Sequence, residues 1–180
     1  ARIWLDTIIF DEQIRLDQLA VLKKDPKVKA VLMHIDTPGG GVTASEKIYY
    51  ALKALATTKP LVCVMNSIAA SGGYMAALPC AHIIAHNSTL TGSIGELIEV
   101  PNFYNLSNTI GIEFNTVRSG RFKATPSAYE PKDSASLAIL QNVVNQGRDF
   151  FIKLVLEHRP VPKNLQNTVF DGRILSSQEA

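Results

Sequence analysis

The chain has 180 residues, 46% of them hydrophobic, which suffices for one domain with a sizeable buried core and excludes an intrinsically disordered protein. Its formal net charge is +2, and acidic and basic residues are mixed along the sequence. Because there is no basic stripe, we do not expect nucleic acid as a partner. There is no run of about 18 apolar residues that would predict a membrane-spanning helix.

Two strands and the helix between them form the predicted core. Residues 28–35 are a nearly continuous apolar run, typical of a strand buried on both faces, and residues 61–65 are a second such run. The intervening segment has apolar residues at broadly helical spacing, at Val42, Ile48, Leu52 and Leu55. The order strand, helix, strand predicts a βαβ unit and therefore a parallel sheet.

Further elements are predicted around this unit. In chain order they are a helix over 11–22 with Ile14, Leu19 and Leu22 inward, a helix over 71–78, a short strand over 82–85, a helix over 102–110, a strand over 113–117 and a long helix over 134–158. With no linker or repeat in the sequence, we expect a single domain over residues 1–180. Ser176 and Glu179 begin a capping-box pattern without its helix, so we expect a chain cut short at its carboxyl end. The first residue is Ala1, and we expect any membrane anchor to lie outside these residues.

A serine framed by small residues follows the second core strand, in the run Ala69-Ala70-Ser71-Gly72-Gly73-Tyr74. Glycines at this place let the backbone of a substrate come close, and a helix N-terminus offers unpaired N–H groups. Ser71 is therefore a candidate nucleophile. The alternative is that Ser71 only caps a helix, which is a common role for serine.

A serine nucleophile needs a base, and Lys123 is the favoured candidate. It follows a glycine and an aromatic residue in Arg118-Ser119-Gly120-Arg121-Phe122-Lys123. A free lysine has a pKa near 10.4, so we expect burial beside Phe122 and under bound substrate to favour the neutral amine. The hydroxyl of Ser93, in Thr91-Gly92-Ser93-Ile94-Gly95, can orient that amine without adding charge.

Acyl transfer also needs two donors aimed at the oxygen of the substrate carbonyl. Gly40, in the glycine-rich turn after the first core strand, and Gly72 can each offer a backbone N–H. Both turns are expected at the carboxyl ends of neighbouring parallel strands, where such sheets place their sites. A nucleotide-binding loop is disfavoured because no Gly-Lys-Ser/Thr follows the glycines.

Other uses of the polar residues remain open at the level of the sequence. A triad of Ser71 with His34 or His86 and Asp36 is one alternative. His82 and His86 lack a third zinc ligand, so we expect no metal and no cofactor. We expect Cys63 and Cys80 to be buried thiols rather than a disulfide.

Four separated motifs follow one another along the chain, namely Asp36-Thr37-Pro38-Gly39-Gly40-Gly41-Val42, Ala69-Ala70-Ser71-Gly72-Gly73-Tyr74, Thr91-Gly92-Ser93-Ile94-Gly95 and Ser119-Gly120-Arg121-Phe122-Lys123. In order and spacing they resemble the signal peptide peptidase A (protease IV) family. The resemblance implies a Clp-protease-like, crotonase-type α/β fold with a mostly parallel sheet. It implies a Ser-Lys dyad of Ser71 and Lys123, an orienting hydroxyl on Ser93, and oxyanion amides on Gly40 and Gly72.

The resemblance also implies a biological setting. Relatives are membrane-associated bacterial enzymes that cut remnant signal peptides and form ring-like or dome-like homo-oligomers. We therefore expect an extended apolar peptide as substrate and a catalytic domain on the periplasmic side of the bacterial cell membrane. The membrane association would run through a segment outside this chain.

Two departures from the family pattern concern substrate preference more than chemistry. Met75 stands where a second aromatic residue is common, and Ala124-Thr125-Pro126 stands where an acidic residue often follows the lysine. One alternative within the fold is a phage-type capsid maturation protease. Another is a non-proteolytic relative that binds acyl-CoA, in which Ser71 is only a cap.

Overall fold

The computed structural model describes all residues, 1–180. Its elements are β1 (Arg2–Leu5), α1 (Gln13–Lys24), β2 (Val31–Thr37), α2 (Val42–Ala56), β3 (Leu61–Ala69), α3 (Gly72–Ala77), β4 (His82–Ala85), β5 (Leu90–Gly92), α4 (Tyr104–Thr109), α5 (Ser134–His158), α6 (Lys163–Val169) and β6 (Ile174–Ser176). None of the helices combines the length and the apolar character needed to cross a membrane.

The chain divides into two compact units. The first comprises Ala1–Gly95 and Arg148–Ala180, and the second comprises Glu96–Gly147. The first unit holds the sheet and most of the helices. The second holds α4, the start of α5 and a long stretch without regular structure.

The sheet of the first unit is mostly parallel, as predicted. Its strand order is β1-β2-β3-β5-β6, with β4 paired to β3 beside this path. All pairs are parallel except β5 with β6. The predicted α/β class with a mostly parallel sheet is confirmed.

The core forms where α1, α2 and α3 cover the sheet. On β2 the odd-numbered residues from Val31 to Thr37 are buried and alternate with half-buried ones. Of the four apolar positions predicted for α2, Ile48, Leu52 and Leu55 are fully buried against this face, whereas Val42 at the first position is 40% exposed. A second cluster packs α5 against α2 and α3 through Tyr49, Met75 and Phe151.

Several sequence-based predictions are wrong in detail. Residues 113–117 form no strand: they are exposed and pair with no neighbour, and a strand requires ladder hydrogen bonds. Ile14 is 79% exposed, because it lies on the face of α1 opposite the buried Leu19. The expectation of free thiols is also wrong, since Cys63 and Cys80 form a disulfide. The short α3 returns the chain toward β3, which brings the two Cα atoms to 5.7 Å.

Candidate active site

The serine turn, residues 69–73, joins β3 to α3 and holds Ser71 in an unusual backbone conformation. Ser71 has φ 51° and ψ −122°, a region that costs a non-glycine residue about 1–3 kcal/mol. Its N–H donates to the Gly92 carbonyl at 2.9 Å, and its carbonyl accepts from the Met75 N–H at 2.9 Å. The side chain makes no capping hydrogen bond to α3, so the strained turn presents an unpaired hydroxyl.

The glycine turn, residues 38–41, follows the neighbouring strand β2 and packs directly against the serine turn. A Cβ atom on Gly39 would lie 2.7 Å from the Gly72 nitrogen and 2.9 Å from the Ser71 Cβ. Gly39 also has φ 103°, which favours glycine. Only a glycine therefore allows these two turns to approach so closely.

Thr37 and Ile9 hold the glycine turn in place. The buried Thr37 hydroxyl donates to the Thr7 carbonyl at 2.7 Å and accepts from the Gly39 N–H at 3.1 Å. The Ile9 N–H donates to the Gly39 carbonyl, and the Ile9 carbonyl accepts from the Gly41 N–H. Sequence reasoning missed both anchors, although a threonine at an inward position of a buried strand is the kind of signal that marks one.

The Gly40 and Gly72 amides are the two predicted oxyanion donors, and neither donates a hydrogen bond within the chain. Gly40 lies between the two residues that Ile9 binds, which leaves its own N–H unpaired. Gly72 is packed on Ser45, whose hydroxyl donates to the Gly41 carbonyl at 3.0 Å. The unit thus offers two free backbone donors on adjoining turns beside one free hydroxyl.

A backbone hydrogen bond places Ser93 next to the serine turn. It follows Gly92, the residue that accepts from the Ser71 N–H, and its own N–H donates to the Arg173 carbonyl at 2.7 Å. Ser93 also has a positive φ, 52°, and its hydroxyl is unpaired. The structure therefore brings together Ser71, Ser93, Gly40 and Gly72 within the first unit.

Lys123 lies in the second unit, on the lysine turn, residues 119–124. Every residue of this turn is exposed. The Lys123 N–H donates to the Gly120 carbonyl at 3.1 Å, whereas the side-chain ammonium has no hydrogen bond or ion pair. The Phe122 ring is covered by the Arg121 guanidinium, 4.8 Å from the ring centroid. Within the single chain, Lys123 is thus not buried beside Phe122 as the sequence predicted.

The alternative triad has no hydrogen bonds to support it. The His34 ring stacks on Trp4 at 4.0 Å, and neither of its nitrogens has a partner. The Asp36 carboxylate instead accepts from the Ser67 and Ile68 N–H groups, both at 3.1 Å. His86 is exposed, and no group of three histidine, cysteine, aspartate or glutamate side chains has a metal-binding arrangement.

Two family profiles match this chain. The profile described as Peptidase family S49 matches residues 53–180, and the profile described as Clp protease matches residues 6–99. A protein named as a protease in Methanocaldococcus jannaschii is 34% identical over 94% of this chain and 55% of its own length.

Two further relatives are named more specifically. One named for signal peptide peptidase SppA in Enterococcus faecium is 31% identical over 95% of this chain and 50% of its own length. The serine protease SPPA, chloroplastic, of Arabidopsis thaliana is 30% identical over 96% of this chain and 25% of its own length. The chain therefore spans between a quarter and about half of the length of these relatives.

Proposed function

The chain belongs to peptidase family S49, and on that premise we propose that it is the catalytic part of a serine endopeptidase with a Ser-Lys dyad. Ser71 is the nucleophile, Lys123 the general base, Ser93 the group that orients the lysine, and Gly40 and Gly72 the oxyanion donors. One observation carries the proposal. The strained Ser71 turn presents a free hydroxyl beside two backbone amides that have no acceptor of their own.

The chemistry of the proposal follows from these groups. The Ser71 Oγ attacks the scissile carbonyl carbon while its proton passes to the Lys123 Nζ. The negative charge that develops on the carbonyl oxygen is stabilised by the Gly40 and Gly72 N–H groups, and one such donor is typically worth about 10²–10³ in kcat. The Lys123 ammonium then protonates the leaving amine, and the neutral lysine activates the water that releases the acyl group.

Lys123 can act as a base only as a neutral amine, and desolvation favours that form. Because the lysine is exposed in the single chain, we propose that bound substrate and a second copy of this chain cover it. Exposed apolar side chains in the same unit support association, among them Val117, which is 100% exposed. Light scattering of the protein as purified should report a homo-oligomer, and a stable monomer at high concentration would contradict this step.

We propose extended apolar peptides as the substrate class, most specifically remnant signal peptides. Ile9 binds the backbone of Gly39 and Gly41 and so holds the glycine turn. Its two neighbours in the chain expose apolar side chains, Ile8 at 57% and Phe10 at 73%. A Phe10→Ser variant should raise KM for apolar peptides while its kcat stays close to that of the parent. An unchanged KM would show that Phe10 does not contact the substrate.

We propose that the whole protein works at the bacterial cell membrane, with this unit on the periplasmic side. The name of the Enterococcus relative, a signal peptide peptidase, supports the setting, because signal peptides are left in membranes. The Cys63–Cys80 disulfide supports the side, because disulfides persist in oxidising compartments. Fractionation of cells carrying the full-length protein tests the setting, and recovery only in the cytoplasmic fraction would contradict it.

The dyad is tested by peptide cleavage with Ser71→Ala and Lys123→Ala. Both variants should lose activity by a factor on the order of 10⁴–10⁶, the range seen when a member of a catalytic unit is removed. Lys132→Ala is the matched control, since Lys132 is another exposed lysine of the second unit and should tolerate replacement. Retained cleavage in either dyad variant would overturn the assignment.

A further inference from the structure

Asp36 is a half-buried carboxylate on β2 whose contacts the proposed mechanism does not use. It lies on β2 between Ile35 and Thr37, both of which are fully buried. Its Oδ1 accepts from the backbone N–H groups of Ser67 and Ile68, each at 3.1 Å. Its Oδ2 lies 3.4 Å from the Ser67 hydroxyl, which can donate to it. All three donors belong to the neighbouring strand β3.

These contacts fall where the register between β2 and β3 breaks. Ile35 pairs with Met65, but Thr37 pairs with Ala69, so four steps along β3 match two along β2. The extra residues form a bulge, and bulged residues lose their ladder partners. The N–H groups of Ser67 and Ile68 would then lack an acceptor. The Asp36 carboxylate supplies one, because its Oδ1 accepts from both N–H groups.

The bulge also changes the neighbour of β3. Up to Met65 the strand pairs with β4, and from Ile68 it pairs with β5. Three residues after Ile68 the chain reaches Ser71, whose N–H donates to the Gly92 carbonyl at the end of β5. The shape of the bulge therefore determines how the chain enters the serine turn.

We propose that Asp36 is a positioning residue for Ser71, acting through the two hydrogen bonds that shape the bulge. The inference rests on the proposed function, since it concerns the orientation of the same nucleophile. Asp36 needs no contact with substrate for this role. Its effect lies in the acceptor oxygen rather than in the charge, because one oxygen binds both amides.

The test is the rate at which a fluorophosphonate labels Ser71, together with kcat and KM for peptide cleavage. Asp36→Ala removes the acceptor and should lower the labelling rate and kcat by a factor on the order of 10 to 100, as expected for a misplaced nucleophile, with KM within about twofold. Asp36→Asn keeps an oxygen that can accept from both amides and should stay within about threefold of the parent. Asp17→Ala, on the exposed face of α1, is the matched control.

The outcomes separate the two proposals. A parent protein that neither labels nor cleaves defeats the proposed function itself. An active parent with an equally active Asp36→Ala variant overturns only the positioning role, as does an Asp36→Asn variant that is folded but as slow as Asp36→Ala. Should Asp36→Ala fail to fold, Asp36→Asn alone decides, since retained labelling supports the hydrogen bonds and lost labelling contradicts them.

Discussion

The serine turn and the lysine turn carry the two halves of the proposed dyad, and they are built in opposite ways. The serine turn is packed against the glycine turn so closely that a single Cβ on Gly39 would collide with it. The lysine turn is exposed along its whole length, and a Cβ on its Gly120 would meet no atom within 4 Å. The proposed nucleophile and the proposed oxyanion donors are thus preformed in one chain, whereas the proposed base lies on a turn with no packing partner.

Exchanging one glycine in each turn tests this contrast, and it should give the largest difference. Gly39→Ala places its Cβ against the Gly72 nitrogen at a φ that disfavours alanine, so the Ser71 hydroxyl and the Gly72 amide must both move. We expect kcat for peptide cleavage to fall by about 100-fold or more, the scale of a lost oxyanion donor. Gly120→Ala should change kcat by less than about threefold, because the added methyl group meets open space.

Equal losses in the two variants would contradict the contrast, since they would mean that the lysine turn is as tightly packed in the working enzyme as the serine turn. Thermal unfolding of each variant separates a displaced site from a lost fold.

Removing the hydroxyl of Ser93 should have a smaller effect than Gly39→Ala. Ser93 lies in the first unit beside the serine turn, but it is proposed to orient Lys123. Loss of the Ser93 hydroxyl should therefore leave Ser71 in place and deprive the Lys123 amine of its orienting partner. Ser93→Ala should lower kcat by about 2- to 10-fold, the worth of one hydrogen bond. Ser119→Ala, an exposed serine of the lysine turn, is the control and should match the parent. No change in kcat with Ser93→Ala would remove Ser93 from the mechanism.

The free energy of unfolding of the first unit should also depend modestly on pH. Burial lowers the pKa of His158, helped by the nearby Lys53 and Arg159 cations, and the ring is hydrogen-bonded to the Tyr49 hydroxyl at 2.9 Å. Because its pKa is lower in the folded state, the neutral ring stabilises the fold above about pH 6.5, and this contribution is lost as the pH falls further. Urea unfolding between pH 8 and pH 5 should show the loss.

The matched variants are His158→Gln, which should weaken the pH dependence, and His86→Gln, an exposed histidine that should leave it unchanged. A pH dependence that is the same in all three proteins would contradict the assignment to His158.

The meeting of the glycine turn and the serine turn could be predicted from the sequence, for a physical reason. Turns that follow neighbouring parallel strands must meet at one edge of the sheet, so the glycines after β2 and the serine after β3 could be placed together before any coordinates. The contact between Gly39 and Ser71 agrees with this placement. Local patterns likewise sufficed for the long helix α5, whose bounds agree with its apolar spacing.

The remaining features depend on contacts that no local pattern encodes. Asp36 binds backbone amides of a bulge, and a bulge becomes visible only once the register of two strands is known. The pairing of Cys63 with Cys80 depends on how far α3 carries the chain back. The strand expected over 113–117 failed because β propensity cannot supply a partner strand.

Activation of Ser71 by Lys123 is tested by the rate of fluorophosphonate labelling of Ser71 as a function of pH. In the parent protein the rate should rise as the pH is raised from about 7 toward 10, because only the neutral amine accepts the proton. Lys123→Arg keeps the positive charge but cannot act as a base, so its labelling should be slower by a factor on the order of 10²–10⁴. Labelling of Lys123→Arg at the parental rate and with the parental pH profile would show that Lys123 is not the base for Ser71.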